Sequence, residues 1–561
     1  VLGWGYRYGE VPLAPYDTNF DPDTRITAIK PYNTARRFPV YVSLGCHVIG
    51  AACPHPDVGD SLSLMAGAQK RFLTPNLPVE PGIFARLRLF TLKELPLICQ
   101  PLAYDEYLCL VEWLEKSEYP LWRKEELLKV ALELPDPDTY VGVLHKREIG
   151  EHTKAEPYTE YKHHRPINAA KDEEKVSLGP VFKSIEKKMF QHCEYIKKIP
   201  LPDRPGYIED YLSFTGLYPF AGDASSWEAR QRRPLMFALE MAFYEYMLVQ
   251  MPDLYWARIL RITGLNRIQA KHFVAWVLAR RMSGEMNTSL GNGFNMRMIV
   301  RFVCLELLGN TVCRGVYEGD DSLVVVDKVR PDAAIFLRLG IKMSKIDHYE
   351  TVCEASFCGM VYDPIDLANL PDPRKSITTF GWSTKDYVNA RPKIHRMLLV
   401  AKAYSYLSAY NGAPVLQALA LWVLKGVPHN RQELYDFVAE RAVMDSYSRA
   451  RLVEVLRTEV APRPVGIRSR LVMEAVYDMT LQQQYALEEF FEGPIQPIPL
   501  HLLEPVHADW LDYWNRYVFE VDFASPLQRT SLGYIFPRLD QLDGFVYQTP
   551  VTHEMMHIPR S

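Results

Sequence analysis

The stretch Thr311-Val312-Cys313-Arg314-Gly315-Val316-Tyr317-Glu318-Gly319-Asp320-Asp321-Ser322-Leu323-Val324-Val325-Val326 decides how the chain folds. Two apolar runs, Thr311 to Tyr317 and Ser322 to Val326, flank Glu318-Gly319-Asp320-Asp321, the signature of a tight β-hairpin. Such a hairpin holds two adjacent carboxylates at its mouth. Hard divalent cations such as Mg²⁺ take carboxylate oxygens together with substrate phosphate oxygens. Alone, Gly-Asp-Asp is a weak signal, arising by chance in roughly one in ten chains of this length. Its plain structural reading is a hairpin turn with solvated aspartates, so the flanking sequence has to decide.

Upstream, Leu212 to Phe220 reads as a strand ending at Gly222-Asp223, and a long amphipathic helix follows over about 226–250. A carboxylate at a strand's end, with Glu228 five residues on, suits a metal site beside a polar reader. The alternative is an ordinary helix N-cap by Asp223 or Ser225. A further helix is predicted over about 266–281. Ser283-Gly284-Glu285-Met286-Asn287-Thr288-Ser289-Leu290-Gly291-Asn292 then opens a helix to about 308. Such a loop offers N–H groups to phosphate and side-chain donors to a ribose, or is simply a capped helix start. Lys162-His163-His164-Arg165-Pro166-Ile167, with Lys171, Lys175 and Lys183 beyond, is a solvated charged loop or a triphosphate and template contact, for which the arginine fork suits phosphate.

Further out, residues 104–134 and 180–198 read as helices around a polar stretch at 145–175. Phe38 to Leu44 is strand-like. A short helix is expected near 331–339, an extended segment near 352–362, and mostly helix after about 385. With 561 residues and 48% hydrophobic content, the chain has the length of about three or four domains and needs no disulfide staples. Lys+Arg 64 against Asp+Glu 68 gives −4, which excludes a wholly basic binder and requires any nucleic-acid surface to come from local charge segregation. Nine scattered cysteines do not form a disulfide framework and read as free thiols of a reducing compartment. No apolar run is long enough to span a bilayer; Pro414 to Val427 reads as a buried helix. The start at Val1 points to a fragment, a processed product or the downstream part of a longer translation product. Cys46, His47, Cys53 and His55 form a candidate zinc cluster, but their spacing favours a structural role.

The order of the four blocks (basic segment, Asp223, Ser-Gly-x₃-Thr-x₃-Asn, Gly-Asp-Asp) resembles motifs F, A, B and C of the RNA-dependent RNA polymerases of positive-strand RNA viruses. Arg281 to Asn292 looks especially like the tombusvirus-related branch. Gly340-Ile341-Lys342-Met343-Ser344-Lys345 and Phe357-Cys358-Gly359-Met360 resemble motifs D and E, so the resemblance covers about 160 to 360. In motif A the family usually carries a second Asp five residues after the first; here that position is Glu228, one methylene longer.

The resemblance implies an α+β right hand of fingers, palm (an antiparallel sheet backed by helices) and helical thumb. Residues 1–210 would form an N-terminal extension and fingers, with motif F at about 160–187. Residues 211–251 would hold the motif A palm, 252–282 a fingers insertion, 283–375 palm motifs B to E, and 376–561 the thumb and tail. It implies template-directed RNA synthesis from NTPs by two Mg²⁺ ions, replaceable by Mn²⁺, held by Asp223, Asp320 and Asp321. Lys162 and Arg165 would contact the triphosphate. Glu228, Ser283, Gly284, Thr288 and Asn292 would form the nucleotide site, with Ser283, Thr288 and Asn292 checking the 2′-hydroxyl in concert with Glu228. Lys171, Lys175 and Lys183 would line the RNA path. Lys342, with Lys345 as alternate, would be the general acid for pyrophosphate. Partners would be template and product RNA, NTPs and a viral membrane-anchoring replication protein or upstream domain, at membrane-associated replication complexes of the host cytoplasm. A reverse transcriptase shares the Asp-Asp turn, but typically with a nonpolar residue in place of Gly319 and without the Ser-Gly-x₃-Thr-x₃-Asn block. A catalytically dead RNA-binding scaffold would not need all the carboxylates present here.

Overall fold

The computed structural model describes residues 25–28, 41–51, 61–117, 119–134, 147–154, 158–160, 165–387, 389–444, 446–512 and 514. At its centre is a four-stranded antiparallel sheet, in the order Met343–His348, Tyr218–Ala224, Asp321–Val326, Cys313–Glu318. The hairpin forms as its residues dictate. Glu318 pairs with Asp321, leaving Gly319 and Asp320 as a two-residue turn. Gly319 has φ +65°, the left-handed position that hairpin turns give to glycine.

The inner strand Asp321–Val326 is covered on both faces, which is why it reads as a continuous apolar run rather than an alternating one, whereas the edge strand Met343–His348 is polar and partly exposed. Phe220, Tyr317, Val324 and Val326 share a core with Phe294 and Ile299 of the helix Thr288–Arg301. Ala221, Val316, Leu323 and Val325 share another with Ile208 and Leu212 of the helix Arg204–Leu212. Helix and antiparallel sheet together give the expected α+β composition.

Several expected elements differ. Leu212 ends a helix; the strand begins at Tyr218, beyond Gly216 (φ +81°), and carries Asp223 within it. The single helix expected over 226–250 is three short ones, Trp227–Arg230, Arg233–Ala238 and Glu240–Met247. Pro234 is tolerated only in the first turn of a helix, and Leu239 (φ −115°, ψ −92°) breaks the chain between the last two. The segment expected to be a helix at 266–281 is a β-hairpin, Leu265–Gln269 with Phe273–Leu278. Its Phe273 to Val277 run is buried throughout, and a short apolar run of β-branched and aromatic residues fits strand and helix periods equally.

That hairpin belongs to a five-stranded sheet in the order Arg25–Ala28, Phe273–Leu278, Leu265–Gln269, Arg147–Thr153, Pro166–Ala170. The polar stretch at 145–175 thus supplies two strands, and the helix after it starts early, spanning Asp172–Met189. The stretch 104–134 divides into helices Leu110–Lys116 and Leu121–Glu133, the second beginning just after Pro120. At 352–362 a 3₁₀ turn, Val352–Glu354, precedes a strand, Met360–Tyr362. The short helix Ala333–Leu337 falls where expected. Among the described residues no helix is long and apolar enough to cross a membrane.

After Pro392 the described chain is mostly helical, and Leu416–Gly426 is buried as expected. Its core, including Leu399, Leu419, Trp422, Met473 and Leu487, also takes in Leu44, Cys46 and Val48 from far upstream. Tyr41–Ser43 pairs with Trp382–Thr384, and Val48 bridges Ile498. Gly381 lets these segments meet: a Cβ there would lie 2.5 Å from the His47 backbone. Gly381→Ala should therefore destabilise the protein by about 2–3 kcal/mol through overpacking against backbone, read as a lowered denaturation midpoint.

Candidate active site

Asp223 and the hairpin carboxylates meet because of strand register. Gly222 lies opposite Ser322, so the next pair places Asp223 across from Asp321, with Asp320 in the adjoining turn. A cleft of about 210 Å³ opens here, lined by Asp223, Asp321, Lys345, Asp347, Ser356 and Cys358 among others. Ser344 Oγ lies 2.9 Å from both the carbonyl oxygen and Oδ2 of Asp223. Arg204 Nη1 lies 2.6 Å from Glu318 Oε2, anchoring the hairpin one residue before its turn.

The carboxylates work against one another. Burial, then the charges of Glu228 and Asp223, hold the Asp320 carboxyl above its ordinary range. Burial, then Asp320 and Asp223, push Asp321 up to about 7. Among the described residues no three His, Cys, Asp or Glu side chains form a ready-made metal cage. The donors these residues offer are carboxylate oxygens only, the chemistry that hard cations take together with water and phosphate oxygens.

Glu228 lies near this cluster but is held elsewhere. Arg71 Nη1, at the end of the helix Ser61–Arg71, sits 3.2 Å from Glu228 Oε1 and 2.9 Å from Oε2. Asn292 Oδ1 accepts from Arg281 Nε at 3.0 Å. Among the described residues no hydrogen bond joins Glu228 to Asn292; each reader candidate has its own arginine.

The Ser283–Asn292 loop is stitched to the strand Pro166–Ala170. Gly284 N donates to Asn168 O (2.9 Å), Ser283 Oγ donates to Pro166 O (3.2 Å) and Asn168 N donates to Ser283 Oγ (3.3 Å). Gly284 is required there, because a Cβ would lie 2.8 Å from Ala169 Cα. Thr288 Oγ1 turns back onto the carbonyls of Met282 and Glu285, closing the loop. Arg165 immediately precedes the stitched strand, whereas Lys162 lies outside the described residues. Beneath the loop, buried Arg281 pairs with Glu240 at 2.6 Å, and Arg147 pairs with Glu285 at 2.6 Å and with Glu174.

The lysine candidates are dispersed. Lys342 is exposed, and its carbonyl accepts from Ser225 N at 2.8 Å, two residues beyond Asp223. Lys345 pairs in register with Asp223 and forms an ion pair with Asp347. Lys171 is exposed at the start of the helix Asp172–Met189; Lys175 and Lys183 make i,i+3 ion pairs with Asp172 and Glu186 along it. Of the candidate zinc cluster, Cys53 and His55 lie outside the described residues. Cys46 and His47 are buried, and His47 Nδ1 is 2.6 Å from Ser43 Oγ. The eight described cysteines are free.

Sequence reading missed Arg71, Arg147 and Glu240, which lie far from any recognisable block. Arg281 and Glu285 sit inside the quoted loop, but only their burial reveals what they do. For Asp321, whose folded pKa is raised, proton uptake favours the native state; that stability is present near pH 4 and lost as pH rises through about 7. Asp321→Asn should thus stabilise the metal-free protein at pH 8 by about 1–2 kcal/mol after screening, with the difference vanishing near pH 4. Denaturation midpoints across that range check it.

A family described as viral RNA dependent RNA polymerase matches residues 244–492, and no curated protein matches the chain. The matched segment contains the Ser283–Asn292 loop and Gly319-Asp320-Asp321; the Asp223 strand precedes it and joins the same sheet. The match indicates that the protein is an enzyme of the RNA-dependent RNA polymerase class.

Proposed function

We propose that this polymerase joins ribonucleotides by two-metal nucleotidyl transfer, with Asp223, Asp320 and Asp321 as the metal-holding carboxylates. The observation that carries the reading is the register that sets Asp223 across from Asp321, with Asp320 in the adjoining turn. Two bound Mg²⁺ ions, or Mn²⁺ in their place, would supply activation of the primer 3′-hydroxyl and neutralisation of the phosphates. Arg165 and Lys162 contact the triphosphate, and the stitching of the Pro166–Ala170 strand to the Ser283 loop supports Arg165 in that place. Asn292, its Oδ1 taken by Arg281, presents its amide N–H groups, and the Glu228 carboxylate accepts, so both partners of a ribose hydroxyl are offered. Ser283, Gly284 and Thr288 fix the loop that carries Asn292. Lys342 donates the proton to pyrophosphate; its side chain is exposed, while the alternate Lys345 is engaged by Asp347. Lys171, Lys175 and Lys183 hold template backbone.

In this reading the four-stranded sheet is the palm, the five-stranded sheet belongs to the fingers, and the helices after Pro392 form the thumb. The Arg281–Asn292 sequence favours the tombusvirus-like branch. The enzyme acts on viral RNA at membrane-associated complexes of the host cytoplasm, with a membrane-anchoring replication protein or upstream domain as partner.

Asp320→Asn should reduce nucleotide incorporation by more than about 10³-fold, the scale of a group essential in the transition state, while leaving a folded protein by circular dichroism; substantial activity would remove Asp320 from the metal site. Arg165→Ala should raise KM for NTP about 10-fold with RNA affinity little changed, as steady-state kinetics and an RNA-binding titration would show.

A further inference from the structure

The position five residues after Asp223 carries Glu rather than Asp, and the structure shows what the extra length reaches. Glu228 extends to Arg71, whose Nη1 contacts both carboxylate oxygens at 2.9 and 3.2 Å. The two side chains are 20% and 23% exposed. A pair this open adds little to stability, so its effect is on where the carboxylate points.

The chain around the pair is fixed from both sides. Residues after Arg71 run over the Glu228 segment: Arg230 Nη1 donates to Pro75 O (3.0 Å) and Arg232 Nη1 to Leu77 O (3.3 Å). Arg280 joins the two, donating to Ala229 O and to Asn76 Oδ1, each at 2.5 Å. Ala279 and Arg280 hold left-handed backbone angles, φ +55° and +78°, a conformation unfavourable for non-glycine residues unless its surroundings enforce it. Arg281 N then donates to Glu228 O at 3.3 Å. Glu228 is thus held at its backbone by the segment leading to Asn292 and at its carboxylate by Arg71.

We infer that Arg71 is a positioning residue for sugar selection, aiming the Glu228 carboxylate so that it accepts from the 2′-hydroxyl of an incoming ribonucleotide. The inference rests on the reading of Glu228 as ribose reader. Glu228 stands near enough to Asp320 for their like charges to oppose one another, and the Arg71 guanidinium acts on Asp320 in the opposite sense. Arg71 engages the carboxylate through a single nitrogen, so lone pairs on both oxygens remain for a hydroxyl donor. Residues 61–77, far from every sequence block of the site, thereby enter substrate choice.

The test is the NTP/dNTP ratio of kcat/KM, measured for wild type, Arg71→Ala, Arg71→Lys, Glu228→Gln and Arg71→Ala/Glu228→Gln, with Arg71→Gln carried alongside in case Ala fails to fold. Arg71→Ala is expected to lower the ratio about tenfold, mainly by lowering kcat/KM for NTP while that for dNTP changes little, the scale of one charged hydrogen bond lost. Arg71→Lys, which restores a cation, should recover part of the ratio. The double variant should fall no further than Glu228→Gln alone, because one residue acts through the other. Equal losses on NTP and dNTP in Arg71→Ala, or additive losses in the double variant, would overturn the inference and leave the Glu228 reading standing. An unchanged ratio in Glu228→Gln would sink the reader role itself, and the inference with it.

Discussion

The Arg281 guanidinium lies fully buried, with Nη2 2.6 Å from the Glu240 carboxylate and Nε 3.0 Å from Asn292 Oδ1. Removing such charges from water costs several kcal/mol per ion, which only close pairing and full hydrogen bonding offset. The arrangement is therefore demanding: Asn287 Nδ2 turns to Glu240 and to Tyr244 Oη, and Glu285 is shared between Arg281 and Arg147. Gly291 makes the approach possible, since a Cβ there would lie 2.5 Å from the guanidinium. This network fixes the loop from Arg281 to Asn292 against the helix Glu240–Met247 and the strand Arg147–Thr153, and so fixes what faces the cleft.

A second charged cluster does the same for the helix that follows the loop. Arg297 pairs with Glu194 and lies 3.6 Å from Glu94; Arg301 pairs with Glu94 at 2.9 Å. The Glu194 backbone carbonyl takes Tyr317 N at 2.8 Å, so the helix Thr288–Arg301 and the hairpin strand Cys313–Glu318 share an anchor. Buried ion pairs are poor sources of net stability but penalise mispairing severely. Here they set the loop, the helix and the hairpin in one register, while the apolar cores on either side of the sheet supply the driving force for folding.

The exposed end of the site is organised differently. Asp223, Asp320 and Asp321 crowd one another, and burial raises the cost of charge on Asp320 and Asp321. Perturbed carboxylates of this kind cluster at functional sites. Rigid buried salt bridges and crowded carboxylates thus lie side by side in one site.

The sequence alone was sufficient for the hairpin and its carboxylates, because a two-residue glycine turn between β-branched runs has few alternatives. It also carried the helix opened by the Ser283–Asn292 loop, the helical character of the chain beyond 392, and the order of blocks that marks a polymerase. It misread 266–281, where Phe273 to Val277 suits either period until neighbouring strands are known, and 226–250, where Pro234 and Leu239 break a run whose apolar spacing looks continuous. The register that brings Asp223 opposite Asp321 was invisible, since strand pairing between segments a hundred residues apart follows from packing on both sheet faces. Arg71, Arg147 and Glu240 carry no local pattern at all. A charged residue declares its role only through burial and partner distance, and both of those are properties of the folded chain.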